Sequence, residues 1–169
     1  MLSLAVAVVK VTTEKPGQKV ATKAEAVTVG VMGLSPARGD YAYTLGQTYP
    51  VGILVDSKSA KIDGVDVIIN FDPAKAEVVG GVSAGNLFER AVLNQIDNET
   101  GQIRFSALSF DAKPVTGIAA TFSFRPKAAG EVDFNFDFKP GVTTDSNMAE
   151  NGTAKDILGK VENGKYNFK

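Results

Sequence analysis

The chain has 169 residues, enough for one compact domain with its own core, and 18 Lys plus Arg against 19 Asp plus Glu leave a formal charge of -1. That balance, without a basic tract, excludes the electrostatic footprint of a nucleic-acid binder. Cys, His and Trp are absent, which removes disulfides, thiolate nucleophiles, thiolate or imidazole zinc sites and Ser-His-Asp hydrolysis.

Residues 1–26 read as an apolar arm and linker, and residues 27–169 as the folded domain. Met1 to Val9 is apolar but shorter than the roughly 20 residues that cross a bilayer. Residues 10–26 are rich in Lys, Thr, Glu and Ala, with a Pro16-Gly17 break. Three readings of the arm stand open: the end of a membrane anchor, the tail of a signal segment, or an alternating strand that pairs elsewhere. In the last case Leu2, Leu4, Val6 and Val8 would share one face, and the arm could join another subunit's sheet by β-augmentation.

From Val27 onward the apolar period is two. In "VTVGVM" it aligns Val27, Val29 and Val31. Tyr41, Tyr43 and Tyr49 cluster after Arg38-Gly39-Asp40, a tripeptide that reads as an inter-strand turn and, in another setting, as an adhesion ligand. The run "YPVGILVD" aligns Val51, Ile53 and Val55. In "VDVIINF", Val65, Val67, Ile69 and Phe71 face one way, leaving Asp66, Ile68 and Asn70 on the other. "AGNLFERAVLNQID" is ambiguous between one or two helical turns and an irregular connection anchored by Phe88, Val92 and Ile96. Alternation resumes with Ile103, Phe105 and Ala107, then with Ile118, Ala120, Phe122 and Phe124. It is clearest in "EVDFNFDFK", where Val132, Phe134, Phe136 and Phe138 alternate with polar residues. A helix would spread those Phe side chains around its circumference, whereas a strand collects them on one dry face.

Turn residues separate the runs at roughly ten-residue intervals, at Asp72-Pro73, Gly80-Gly81, Asn98 to Gly101, Lys113-Pro114, Ala129-Gly130 and Pro140-Gly141. Short half-buried strands so spaced predict an all-β, two-sheet sandwich.

The ordered series "LSPARGDYAYTLGQTYPVGILVDS", "IDGVDVIINFDPAKAEVVGGVSAGNLF", "GQIRFSAL", "VTGIAATFSFRPKAAGEVDFNF" and "TDSNMAENGTAKDIL" resembles the cohesin-like domain family over residues 33–167. The matching motifs are Gly46 to Val55, Phe71-Asp72-Pro73, Thr116-Gly117, Phe122 to Phe124 and Lys127 to Gly130. The resemblance implies a jelly-roll β-sandwich of about nine strands. It further implies a non-catalytic, extracellular or cell-surface module that binds a protein, dockerin-like or otherwise, and not nucleic acid. Cellulosomal cohesins bind dockerins through one sheet face, where type I members commonly carry an Asn two positions before an Asp. Here the motif puts Asp66 on the acidic position and Gly64 where the Asn would stand. The pattern of a short apolar arm, a linker and one domain is closest to single membrane-tethered bacterial cohesin-like proteins. Self-assembly into a surface filament and carbohydrate binding are the alternative functions.

Four sets of residues carry these expectations. Asp66, Ile68 and Asn70 are the candidate partner-binding residues. Tyr41 and Tyr43 are a candidate glycan platform, set against the plainer role of covering a sheet edge. Asp145, Asn147, Glu150 and Asp156 supply oxygens of the kind calcium takes, although their spacing departs from the EF-hand loop and also suits a long turn. No other cofactor is expected. Asp133 and Asp137 share a strand face but read as its solvated side, and no catalytic residue is assigned.

Overall fold

The computed structural model describes residues 29–169, so the N-terminal arm, the linker and Val27 lie outside the described residues. Twelve strands follow in chain order: β1 (Gly30–Ser35), β2 (Arg38–Tyr41), β3 (Tyr49–Asp56), β4 (Ile62–Phe71), β5 (Ala76–Ala84) and β6 (Arg90–Asp97), then β7 (Gln102–Lys113), β8 (Thr116–Pro126), β9 (Gly130–Phe136), β10 (Asn147–Glu150), β11 (Leu158–Glu162) and β12 (Gly164–Phe168). The expectation of about nine was low because β2, β10, β11 and β12 are only four or five residues long, too short to show a period.

Two sheets face each other. One has the order β11-β1-β3-β8-β5; the other runs β2-β12-β9-β4-β7-β6, with β10 paired to β4. Most pairs are antiparallel, while β1 with β11 and β2 with β12 are parallel. The core lies between the sheets, where the alternating residues meet. Val51, Ile53, Val55, Val65, Val67, Ile69, Ile103, Phe105, Phe122, Phe124, Val132 and Phe134 are all buried, and their removal from water is the main favourable term in folding.

Strand β4 has a divided edge. Its last residues, Ile69 to Phe71, pair with β9, and Ile62 to Asp66 pair with β10. Between them the Ile68 N–H donates to Ser146 Oγ at 2.9 Å, and the Ile68 carbonyl accepts from Ser146 Oγ at 3.0 Å and from Asp137 N at 2.8 Å. A side-chain hydroxyl and one loop amide thus complete the ladder at Ile68 where the two neighbours part, giving both of its backbone groups a partner. This closure holds the Thr143–Asn147 segment against the outer face of β4.

Several local expectations change. In β1 the core residues are Met32 and Leu34, with Val31 on the other side; the apolar phase read from Val27 did not extend past Gly30. Ile118 is 48% exposed although Ala120, Phe122 and Phe124 point inward. The register of β3 on β8 steps between Ile53, opposite Ala120, and Leu54, opposite Ile118. Ala119 is therefore the extra residue of a β-bulge, which turns Ile118 outward. Residues 87–96 form no helix: Phe88 is buried ahead of β6, and Val92 is exposed at a register shift between Ala91 and Leu93. Arg38-Gly39-Asp40 is not a turn but most of β2, an edge strand on which the Asp40 carboxylate accepts from Asn167 at 3.1 Å.

Candidate functional site

Cross-strand partners in a sheet share a face, so the strand registers lay out the solvent side of β9, β4, β7 and β6 as rows. The first row is polar throughout: Asn135, Asn70, Gln102 and Asp97. Ile68, Arg104 and Gln95 make the second, and Asp66, Ser106 and Leu93 the third, with Asn147 on the far side of Asp66. Gly64, Leu108 and Arg90 make the fourth. The face therefore grades from amides at one end to apolar groups at the other. At that apolar end Leu108 is 40% exposed, and Phe110, where β7 leaves its regular pairing, is 72% exposed.

Asp66, Ile68 and Asn70 occupy this face, as their alternation out of the core predicts. Asp66 is exposed but held from both sides: its Oδ1 accepts from the Ser106 hydroxyl at 2.5 Å and its Oδ2 from Asn147 Nδ2 at 3.2 Å. Asn70 accepts from Gln102 at 3.0 Å. Ile68 is half-buried. A shallow depression of about 320 Å³ lies at these residues, bounded by Asp66, Ile68, Leu93, Arg104 and Ser106 on the sheet and by Thr143, Thr144, Asp145 and Asn147 at the rim. At the apolar end the Lys113 ammonium donates to Glu89 Oε1 at 2.7 Å, while Glu89 Oε2 accepts from Phe110 N at 3.2 Å. The Lys113 hydrogen bond holds the Glu89 carboxyl below its usual range. The pair ties the bulged end of β7 to the segment before β6.

Position 64, where the type I pattern would put an Asn, leaves no room for a side chain. It is buried, and a Cβ there would lie 2.5 Å from the Ala107 carbonyl oxygen and 2.9 Å from Leu108 Cδ2. Leu108 lies across the strand where a side chain at position 64 would go. Gly64→Asn should therefore cost about 1–3 kcal/mol through overpacking, measured as a lower urea midpoint. A variant as stable as the parent would show that the β7 backbone at Ala107 and the Leu108 side chain both give way freely.

The other candidates are dispersed. Tyr41 packs on Tyr49 and Phe168 with ring centroids at 4.7 and 5.5 Å, and Tyr43 donates its hydroxyl to the Lys127 carbonyl. Both are half-buried against the core, so they cover the edge at β2 and do not offer two free ring faces to a sugar. The four calcium candidates do not converge. Asp145 accepts from Lys139 N and Asp156 from Met148 N and Leu158 N, while Glu150 accepts from Thr153 and Asn147 reaches Asp66. Among the described residues no three His, Cys, Asp or Glu are grouped to hold a metal ion. Asp133 lies 3.7 Å from Lys165, and Asp137 follows β9 in the loop.

Asn94 and Asn98 were missed in the sequence. Asn98 accepts from Val78 N at 2.8 Å and donates to Val78 O at 2.9 Å, and Asn94 does the same with Val82, accepting at 3.2 Å. Two side chains four residues apart thus act as a missing strand for two valines four residues apart, fastening β5 of one sheet to β6 of the other. Asn98 opens the sequon Asn98-Glu99-Thr100, but its amide nitrogen is engaged in this staple.

No family model matches the chain, and no curated protein matches it in sequence. Solved structures do. The OlpC cohesin of Clostridium thermocellum, in a type I cohesin–dockerin complex, superposes with a TM-score of 0.65 at 15% identity, covering 87% of this chain and 98% of that one. The third ScaC cohesin of Acetivibrio cellulolyticus, in complex with the ScaB dockerin, gives 0.62 at 19% identity over 82% and 96% of the two chains. A non-cellulosomal cohesin from the archaeon Archaeoglobus fulgidus gives 0.59 at 13% identity over 83% and 90%. The described residues therefore have the cohesin fold.

Proposed function

We propose that this chain is a non-catalytic protein-interaction module that works outside the cytoplasm, at a bacterial cell surface, and binds a dockerin-type partner through the outer face of β9, β4, β7 and β6. The observation that carries this reading is the face itself: a carboxylate anchored by Ser106 and Asn147, beside a half-buried Ile68 and above exposed Leu108 and Phe110. Apolar groups among anchored polar ones are the composition of a recognition patch. The similarity to cohesins in complexes with dockerins supports the choice of partner class.

The test is calorimetric titration against a panel of dockerin modules, with Ile68→Asp as the variant. The parent chain should bind at least one dockerin, and Ile68→Asp should weaken that binding by about thirtyfold or more, as for an interface hot spot of 2 kcal/mol, with little change in Tm. Binding to none of the panel would count against the partner class. Unchanged binding by the variant, or a sharp fall in Tm that makes Ile68 a core residue, would count against the face.

A further inference from the structure

Asparagine followed by glycine occurs twice among the described residues, at Asn151-Gly152 and Asn163-Gly164, and the fold treats the two pairs differently. We propose that Asn151 is a site of spontaneous, backbone-assisted deamidation, that Asn163 is protected from it, and that conversion at Asn151 loosens β10 from β4. The inference is independent of the binding function.

The chemistry needs only water as co-reactant. The backbone nitrogen of the glycine attacks the asparagine Cγ and gives up its proton, the Cγ–Nδ2 bond breaks, and ammonia departs with that proton, leaving a cyclic imide. Water then opens either imide carbonyl, giving aspartate or its iso-linked isomer. Glycine permits the attack because it has no side chain to obstruct it, but the glycine N–H must be free and the backbone able to rotate toward Cγ.

Asn151 meets both conditions. It is exposed in the turn after β10, and Gly152 sits at φ +79° with nothing within 4 Å of where a Cβ would be. The Gly152 N–H makes no hydrogen bond among the described residues, and the Asn151 side-chain oxygen accepts none. The restraints on Asn151 are its own N–H, donated to Lys61 O at 2.9 Å, and its Nδ2, donated to Asp63 Oδ1 at 2.6 Å. Asn163 meets neither condition. Its Oδ1 accepts from Phe136 N at 2.9 Å, and Gly164 is buried and paired with Phe134 in the ladder of β12 on β9. A Cβ at Gly164 would meet Tyr166 and Leu34 at 2.8–2.9 Å, so the backbone there has no room to turn.

The product also matters. Deamidation replaces the donor facing Asp63 with a second carboxylate, so an attractive contact becomes a repulsion between like charges. It falls at the end of the β10 ladder, where Glu150 pairs with Ile62; the other end is the pair of Asn147 with Asp66.

The test is incubation of the full chain in mildly alkaline buffer, followed by tryptic digestion and mass spectrometry. Asn163 falls in the fragment Val161–Lys165, apart from the fragment ending at Lys155 that carries Asn151. In the folded protein Asn151 should convert at least about tenfold faster than Asn163, because opening the ladder at Gly164 costs free energy that the turn at Gly152 does not. In urea the two rates should become comparable. Equal rates in the folded protein, or an Asn151 that stays intact while both convert in urea, would overturn the assignment. For the consequence, Asn151→Asp should lower Tm by about 2 °C, and adding Asp63→Asn should restore it by exchanging donor and acceptor. An Asn151→Asp variant with the parent's Tm would refute the loosening.

Discussion

Replacing Phe134 with alanine should lower the unfolding free energy by about 3–5 kcal/mol, the largest single loss expected in this molecule. Phe134 is fully buried on β9, and its ring lies 4.9 Å from Phe124, 5.2 Å from Phe122, 5.3 Å from Phe71 and 6.1 Å from Tyr166, centroid to centroid. These partners come from three other strands and both sheets, so a cavity there cannot be closed by shifting one neighbour. Each aromatic pair also contributes about 0.5–1.5 kcal/mol beyond the area it buries. Against a total stability of about 5–15 kcal/mol, much of the margin disappears. The same strand supplies its own control: Asn135, one residue on, points to solvent, and Asn135→Ala should change stability by no more than about 0.5 kcal/mol. Urea unfolding checks both through the midpoint. Equal losses for the two variants would mean that β9 does not alternate between a dry and a wet face.

The second large effect belongs to the staple. In an Asn94→Ala, Asn98→Ala double variant, the N–H and C=O groups of Val78 and Val82 lose their partners. Both valines are buried, and each group of unmet backbone bonds costs about 1–3 kcal/mol, so the double variant should lose about 3–4 kcal/mol. Each single variant should lose roughly half of that, because the two contacts lie a full turn of strand pattern apart and share no partner. Amide exchange supplies the specific readout, since Val78 N and Val82 N are the donors that are freed. A loss below about 1 kcal/mol with both amides still protected would show that water or β6 backbone replaces the asparagines. Asn→Asp is no substitute at either position, because a carboxylate accepts from the valine N–H but faces the valine carbonyl with no proton to donate.

Most of the sandwich was legible because period-two alternation survives wherever a strand has one dry face. Strands β3, β4, β7 and β9 show their core residues in the sequence, and the outward positions Asp66, Ile68 and Asn70 follow from the same count. Legibility ended where a local irregularity resets the count. The bulge at Ala119 turned Ile118 outward, and the register shift at Val92 hid β6 behind a pattern that could also suit helical turns. Pairing across long separations left no local trace. Nothing near Asn94 or Asn98 announces that their side chains complete β5, and nothing near Ser146 announces that its hydroxyl completes β4. At Gly64 the sequence revealed a departure from the type I pattern, but what closes the position, the Ala107 carbonyl and the Leu108 side chain across the strand, comes from the distant strand β7.

Under the proposed function, the closure of position 64 bears on which partner the face would suit. With position 64 closed by the Ala107 carbonyl and Leu108, the outer face offers one anchored carboxylate, Asp66, where the type I pattern has an Asn and an Asp. It offers in addition an exposed apolar end at Leu108 and Phe110. A partner suited to this face would thus place more apolar surface near the Leu108 end than one built to satisfy an Asn-Asp pair.

The most direct test is a map of backbone amide shifts when a binding dockerin module is titrated into the labelled chain. The account predicts changes centred on Asp66, Ile68, Leu93, Arg104 and Leu108, with β1, β3, β8 and β11 unaffected. Changes centred on the five-stranded sheet or on β2, with the β4 and β7 face silent, would contradict it.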